Sequence, residues 1–175
     1  MASEINLNIL LYQPLIPQNT GNIGRLCVGT NCRLHLVRPL GFELSEKQVR
    51  RAGLDYWPHL DLVVHDSWSP ESCPGRFFLF SKKAQRSAFD VEYRSGDWLV
   101  FGSETTGLPK DMLANHETHA LALPQYGPVR SQNLSNAVSA ACYLALRDLQ
   151  RQGVVRSKTA SEEKSFLPIA NGQEE

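Results

Sequence analysis

The stretch Asp97-Trp98-Leu99-Val100-Phe101-Gly102-Ser103-Glu104-Thr105-Thr106-Gly107-Leu108-Pro109 runs from unbroken apolar residues straight into a loop of glycines and small hydroxyl side chains. A short apolar run without alternation suits a strand covered on both faces, as strands of parallel sheets are. In the loop, Gly102 and Gly107 permit close approaches, while Ser103, Glu104, Thr105 and Thr106 supply directed hydrogen bonds. Loops of this kind at strand ends are where α/β proteins hold ligands.

Comparable apolar runs bounded by turn residues predict strands at about residues 7–12, 33–38, 60–65, 76–81, 97–102 and 119–123. Between them the spacing predicts helices at 20–30, at 45–52 with Ser45 and Gln48 in capping-box positions, at 109–114 as a short turn, and at 132–152. Strand and helix alternate, so the fold class is α/β, a mainly parallel sheet with flanking helices. In the last helix Leu134, Val138, Ala141, Ala145 and Leu149 recur every three or four residues and give one apolar face, and Gly153 is a natural stop. Two further polar stretches adjoin such elements: Asn19-Thr20-Gly21-Asn22-Ile23-Gly24-Arg25 and Arg130-Ser131-Gln132-Asn133-Leu134-Ser135-Asn136-Ala137.

A length of 175 residues fits one domain, expected over 1–155, with a mobile polar tail at 156–175. Cys27, Cys32, Cys73 and Cys142 are too widely spaced for Cys-x-x-Cys chemistry and read as reduced core thiols of a cytoplasmic protein. The N-terminus carries Glu4 and lacks the order of a signal peptide, and no apolar run approaches the roughly 20 residues of a membrane span. Lys plus Arg equals Asp plus Glu, 18 each, so overall charge offers no general attraction to nucleic acid. The cations are grouped nonetheless, at Arg50 and Arg51, at Lys82, Lys83 and Arg86, and singly beside loops at Arg25 and Arg130.

Several chemistries are excluded by spacing. Gly102 and Gly107 have the separation of a phosphate-binding P-loop, but Leu108-Pro109 stand where Lys and Ser or Thr are needed. No Gly-x-Gly-x-x-Gly follows the first strand, which removes a dinucleotide fingerprint. His116 and His119 are three apart, one short of the zincin pair, and no cysteine or aspartate cluster accompanies them, so no metal is expected. Gly-x-Ser-x-Gly is absent as well. What is left is a set of Gly-rich and Asn/Ser-rich loops with one embedded cation, Arg25.

In this order the three stretches resemble the motifs of the SPOUT-superfamily RNA 2'-O-ribose methyltransferases, and Arg51-Ala52-Gly53-Leu54-Asp55-Tyr56 resembles the small bacterial tRNA wobble-methylating subgroup in particular. The likeness runs from about Leu7 to Gln152. It implies a C-terminal deep trefoil knot, homodimers, S-adenosyl-L-methionine as cofactor and the anticodon loop of tRNA as partner. The reaction implied is methyl transfer to the ribose 2'-hydroxyl of the wobble cytidine or uridine.

Carried over residue by residue, the resemblance assigns the cofactor to Phe80, Gly102, Leu123, Ser131 and Asn133, with Thr106, Gly107 and Leu108 closing the pocket. Phe80 and Leu123 suit the faces of adenine. Arg25 is the implied catalytic arginine; a guanidinium stays protonated, so its task is to hold a phosphate or stabilise a developing alkoxide rather than act as a base. Asn19 and Glu104 are expected to orient that region, and Tyr143 to lie near a site shared between subunits. Arg50, Arg51 and Arg130 are the candidate RNA contacts, with Tyr56 and Trp57 available for stacking or for the core. Two alternatives stay open: a relative acting on another tRNA position or on rRNA, and a non-catalytic RNA-binding or dimerisation module. A chain of this length has no room for the added RNA-binding domain that rRNA-modifying relatives usually carry, and retention of the motif residues together argues against the module.

Overall fold

A computed structural model of the chain describes residues 6–43 and 55–156. Its elements are β1 (Asn8–Tyr12), α1 (Pro17–Thr30), β2 (Arg33–Val37), β3 (Leu62–His65), β4 (Phe77–Phe80), β5 (Trp98–Phe101), α2 (Lys110–Asn115), β6 (Ala120–Leu121) and α3 (Leu134–Arg151). Each expected strand is present, trimmed by up to three residues, and the helix expected at 45–52 lies outside the described residues. Helix α1 begins at Pro17, three residues ahead of the expected Thr20. Proline has no N–H to lose and a helix-compatible φ, so it opens a helix well. Asn31 ends the helix in a left-handed conformation (φ 52°), its N–H turned back to the carbonyls of Cys27 and Val28.

The strands form one sheet in the order β3-β2-β1-β5-β4-β6, and every pairing is parallel. The chain first builds outward from β1 to β3, then crosses over to β4 and returns to place β5 beside β1. The connections leaving β1 and β5 therefore diverge, and a crevice opens at the carboxyl ends of the strands where ligands of α/β folds bind.

Alternate side chains feed two cores. Ile9, Leu11, Leu34, Leu36, Phe78, Phe80, Leu99 and Phe101 face α1 and α3, whose Ile23, Cys27, Val138, Ala141, Cys142, Ala145 and Leu149 are fully buried. Leu10, Val37, Phe77, Leu79, Trp98 and Val100 form the second core with Leu108 and Met112. The apolar face expected on α3 is the one that packs, with Leu134 partly buried at its start. All four cysteines are free and buried, as expected for core thiols.

A polar chain crosses the second face over β1, β2 and β3. The Asn8 amide donates to the Gly96 carbonyl (3.1 Å), which turns its oxygen toward His35 Nε2 (3.2 Å) and requires a hydrogen there. In its neutral form His35 then accepts through Nδ1 from His65 Nε2 (2.9 Å). Burial, reinforced by the neighbouring His65 and Arg33 charges against the opposing pull of Asp61, pushes the His35 imidazole down to about 4.

Candidate functional site

At the carboxyl edge of β4, β5 and β6 the chain encloses a cavity of about 790 Å3. Phe80 and Phe101, last residues of adjacent strands, stack at 4.6 Å with ring planes 13° apart and form an apolar wall. Leu123 and Leu134 add aliphatic surface, and Ser131, Gln132 and Asn133 line the cavity where the chain enters α3.

The loop after β5 is folded on itself. A Cβ on Gly102 would stand 2.0 Å from the Gly107 carbonyl carbon and 2.1 Å from the Leu108 nitrogen, so only glycine fits. The close approach expected at Gly102 is thus made by the chain's own loop. The Gly107 N–H donates to the Ser103 carbonyl (3.0 Å), the Ser103 and Thr106 hydroxyls share a hydrogen bond of 2.7 Å, and Gly107 takes φ 70°. That turn aims Glu104 across the crevice.

Helix α1 has no side-chain cap of its own, since Ile16 precedes Pro17. Glu104 takes that place. Its Oε2 accepts from the Leu15 N–H (2.9 Å), and its Oε1 from the Ile16 N–H (3.1 Å) and the Asn19 amide (2.9 Å). Negative charge is favourable at a helix start. Burial opposes ionisation, yet the Asn19 amide and the backbone N–H groups of Leu15, Glu104 and Ile16 together hold the carboxyl below its ordinary value.

Every amide in this network has a forced orientation. An ionised carboxylate only accepts, so Asn19 presents its NH2 to Glu104 and its oxygen to the Asn133 NH2 (3.0 Å). Asn133 must then turn its own oxygen to α3, where it accepts from the Ser135 N–H (2.9 Å) and hydroxyl (2.7 Å) as the helix cap. The three motif stretches thus meet in one directional chain of hydrogen bonds at the cavity.

The structure brings together Asn19, Phe80, Gly102, Glu104, Leu123, Ser131 and Asn133 around this cavity. Arg25 and Arg130 are not among its lining residues, and Arg50 and Arg51 lie outside the described residues. Arg25 stands six residues beyond Asn19, about 9 Å along the helix and about a third of a turn around it. Its side chain is 71% exposed, 4.0 Å from the Asp55 carboxylate. Lys82, Lys83 and Lys110 do line the cavity. Lys82 and Lys83 were visible in the sequence as a charge group without a site, whereas Lys110 is lost in it as an ordinary helix-start lysine. Among the described residues no cluster of His, Cys, Asp or Glu could hold a metal, and no helix is long and apolar enough to cross a membrane.

Comparison with known proteins agrees with this geometry. A tRNA (cytidine(34)-2'-O)-methyltransferase of Saccharophagus degradans is 46% identical over 146 residues, covering 81% of this chain and 95% of the relative. Its Yersinia pestis namesake is 44% identical over 158 residues, covering 85% and 98%. A solved structure concerned with 2-OH methylation of the cytidine or uridine at position 34 of tRNA superposes with TM-score 0.77 at 48% identity, covering 83% of this chain and 97% of that one. The methyltransferase AviRb of Streptomyces viridochromogenes, solved with its cofactor AdoMet, superposes with TM-score 0.69 at 23% identity, covering 86% and 62%, a likeness of fold. The resemblance carried by the motifs is borne out: matched over residues 6–143, the chain belongs to the SpoU rRNA Methylase family.

Proposed function

We propose that this chain transfers a methyl group from S-adenosyl-L-methionine to the ribose 2'-hydroxyl of the wobble nucleotide in the anticodon loop of tRNA. The observation that carries the reading is the meeting of the three motif stretches at one cavity through Glu104, Asn19 and Asn133. Relatives of 44–46% identity, named for this reaction at cytidine 34, support the substrate.

The cavity fits the cofactor. Its volume lies within the range of small-molecule sites, and it pairs an aromatic and aliphatic wall with a few convergent polar groups. Phe80 and Leu123 would flank adenine, and Gly102, Ser131 and Asn133 would contribute backbone and side-chain hydrogen bonds. When bound, S-adenosyl-L-methionine supplies a methyl group already activated on sulfonium. The chain's residues then have to align the acceptor hydroxyl and balance the charge that develops on it, a task of positioning. Glu104 is committed to its hydrogen-bond donors and serves to hold Asn19 and the start of α1, not to take the proton. Arg25 binds a tRNA phosphate or stabilises the alkoxide. Lys82, Lys83 and Lys110 offer further cations at the rim, and Arg50, Arg51 and Arg130 complete the RNA surface.

The active form is a homodimer in the cytoplasm, with 1–155 as one domain. Exposed apolar residues support the pairing, with Tyr143 on α3 at 62% and Val129 before it at 61% exposure. The chain's own Arg25 does not line the cavity, which leaves that place open to the Arg25 of a second copy. The deep trefoil knot belongs to the same reading: after β6 the chain leaves the sheet, lines the cavity with Leu123 and Ser131, and returns to pack α3 on α1.

The deciding experiment incubates the protein with labelled S-adenosyl-L-methionine and total tRNA and maps the label by nuclease digestion. Label at the wobble ribose is expected. Absence of incorporation despite measurable cofactor binding overturns the reading, and label at another nucleotide replaces its substrate. Sedimentation at micromolar concentration tests the dimer, which a monomer would contradict.

A further inference from the structure

The cation of α1, though largely exposed, has two neighbours. The turn formed by Asp55, Tyr56 and the 3-10 helix Trp57–His59 is seated against the helix where Gly24 carries no side chain. A Cβ on Gly24 would stand 3.2 Å from Leu60 Cδ2 and 3.4 Å from Tyr56 Cε2, so the turn occupies the space that a larger residue would fill. The Tyr56 hydroxyl donates to the Gly21 carbonyl one helical turn before Arg25. The ring, only 8% exposed, is thereby fixed on α1 at both its edge and its tip.

The Arg25 guanidinium lies over that ring, 5.7 Å from its centroid, and stands 4.0 Å from the Asp55 carboxylate. Each contact is weak alone, the ion pair being exposed and the cation only loosely stacked. Their geometry is nevertheless specific. A long side chain with many rotamers is biased toward one direction by a flat surface that is itself hydrogen-bonded to the helix bearing the arginine. Burial raises the phenol above its ordinary value, with the Arg25 charge opposing and Asp55 adding to it, so the hydroxyl remains a donor.

We infer that Tyr56 is a positioning residue for Arg25, holding the guanidinium aimed at the acceptor ribose or its phosphate, with Asp55 as the secondary tether. The inference rests on the catalytic role proposed above for Arg25. Tyr56 on this account touches neither cofactor nor RNA, and acts through the arginine.

The test compares Tyr56→Leu, Tyr56→Phe and Asp55→Asn under steady-state methylation of tRNA, with equilibrium binding of S-adenosyl-L-methionine and thermal unfolding measured alongside. Removal of the ring is expected to lower kcat by about 10- to 100-fold, the scale of an ångström-level misplacement, with cofactor affinity unchanged. Tyr56→Phe keeps the ring and is expected to retain most of kcat. In an Arg25→Lys background, Tyr56→Leu is expected to add little further loss, because the group it positions has already been replaced. Should Tyr56→Leu fail to fold, Asp55→Asn, at the surface, carries the same cycle with a smaller loss expected in kcat alone. Wild-type kcat in Tyr56→Leu, or losses that multiply in the Arg25→Lys background, would overturn the positioning role. Wild-type turnover in Arg25→Ala would instead overturn the catalytic role of Arg25, an outcome distinguishable from the first.

Discussion

Glu104 and Asn19, 85 residues apart in the chain, are joined by a hydrogen bond of 2.9 Å that spans the crevice between the loops leaving β5 and β1. Through it the cavity proposed for the cofactor and the start of the helix bearing Arg25 share one support. A disturbance of this bond should therefore be felt on both sides.

Glu104→Gln replaces an acceptor-only group by one that must turn an NH2 toward at least one N–H of Leu15, Ile16 or Asn19. The expected loss is about 1–2 kcal/mol of stability, read as a lower urea midpoint at unchanged slope. Cofactor affinity should fall with it. A midpoint equal to that of the unmodified protein would show that the network contributes nothing.

Asn19→Asp leaves the shape nearly intact but sets a carboxylate against Glu104. Like charges at this separation cannot both ionise at low cost, so one of the pair retains its proton to higher pH. Cofactor binding should be impaired at pH 8 and partly restored near pH 5, whereas the unmodified protein should show no such restoration. Titration calorimetry at the two pH values decides it.

Gly102→Ala adds a single methyl group where Gly107 and Leu108 already stand within 2.4 Å. The loop must shift, at a cost of about 1–3 kcal/mol, and binding of S-adenosyl-L-methionine should be lost largely through that shift. Ordinary binding by this variant would move the cofactor away from the β5 loop.

The His35 imidazole, held down to about 4 against an ordinary 6.5, makes stability depend on pH in a defined window. Between these values the unfolded chain binds the proton and the folded chain does not, so stability rises with pH there. The contribution is complete above about 6.5 and is lost as the pH falls toward 4. Glu104, also depressed, adds a loss of the same sign below the ordinary carboxylate value of 4.5. Unfolding midpoints taken every half unit of pH should show the first window flattened in His35→Gln.

Arg25→Ala should leave cofactor affinity nearly intact, since the side chain does not line the cavity, and should abolish most methyl transfer. Filter binding and label incorporation on the same preparation separate the two effects. Equal loss of both would place Arg25 in the cofactor site instead.

The parallel sheet was legible because its strands are short, continuously apolar and bounded by turn residues, as in Trp98–Phe101 and Phe77–Phe80. The start of α1 was less so. The turn leading into it is held by Glu104 from a distant loop, and no local pattern records a partner so far along the chain. The motif residues could be recognised singly, yet composition and spacing say nothing of the direction in which Asn19 and Asn133 turn their amides. That direction follows only once the carboxylate is in place. Lys110 joins the cavity for a similar reason, brought there by the fold of the β5 loop rather than by any signal of its own.

The bond between Asn133 and Asn19 joins residues 114 positions apart, and this has a consequence in time. Synthesis proceeds from the N-terminus, so β1 to β5 and the Glu104 loop are made well before the segment that completes the cavity. A nascent chain ending before Arg130 carries all six strands but lacks both the last polar link and the wall formed by Ser131 and Leu134. The cavity is therefore completed only after every strand of the sheet has been made, and the proposed hold on a methyl donor follows the sheet in time.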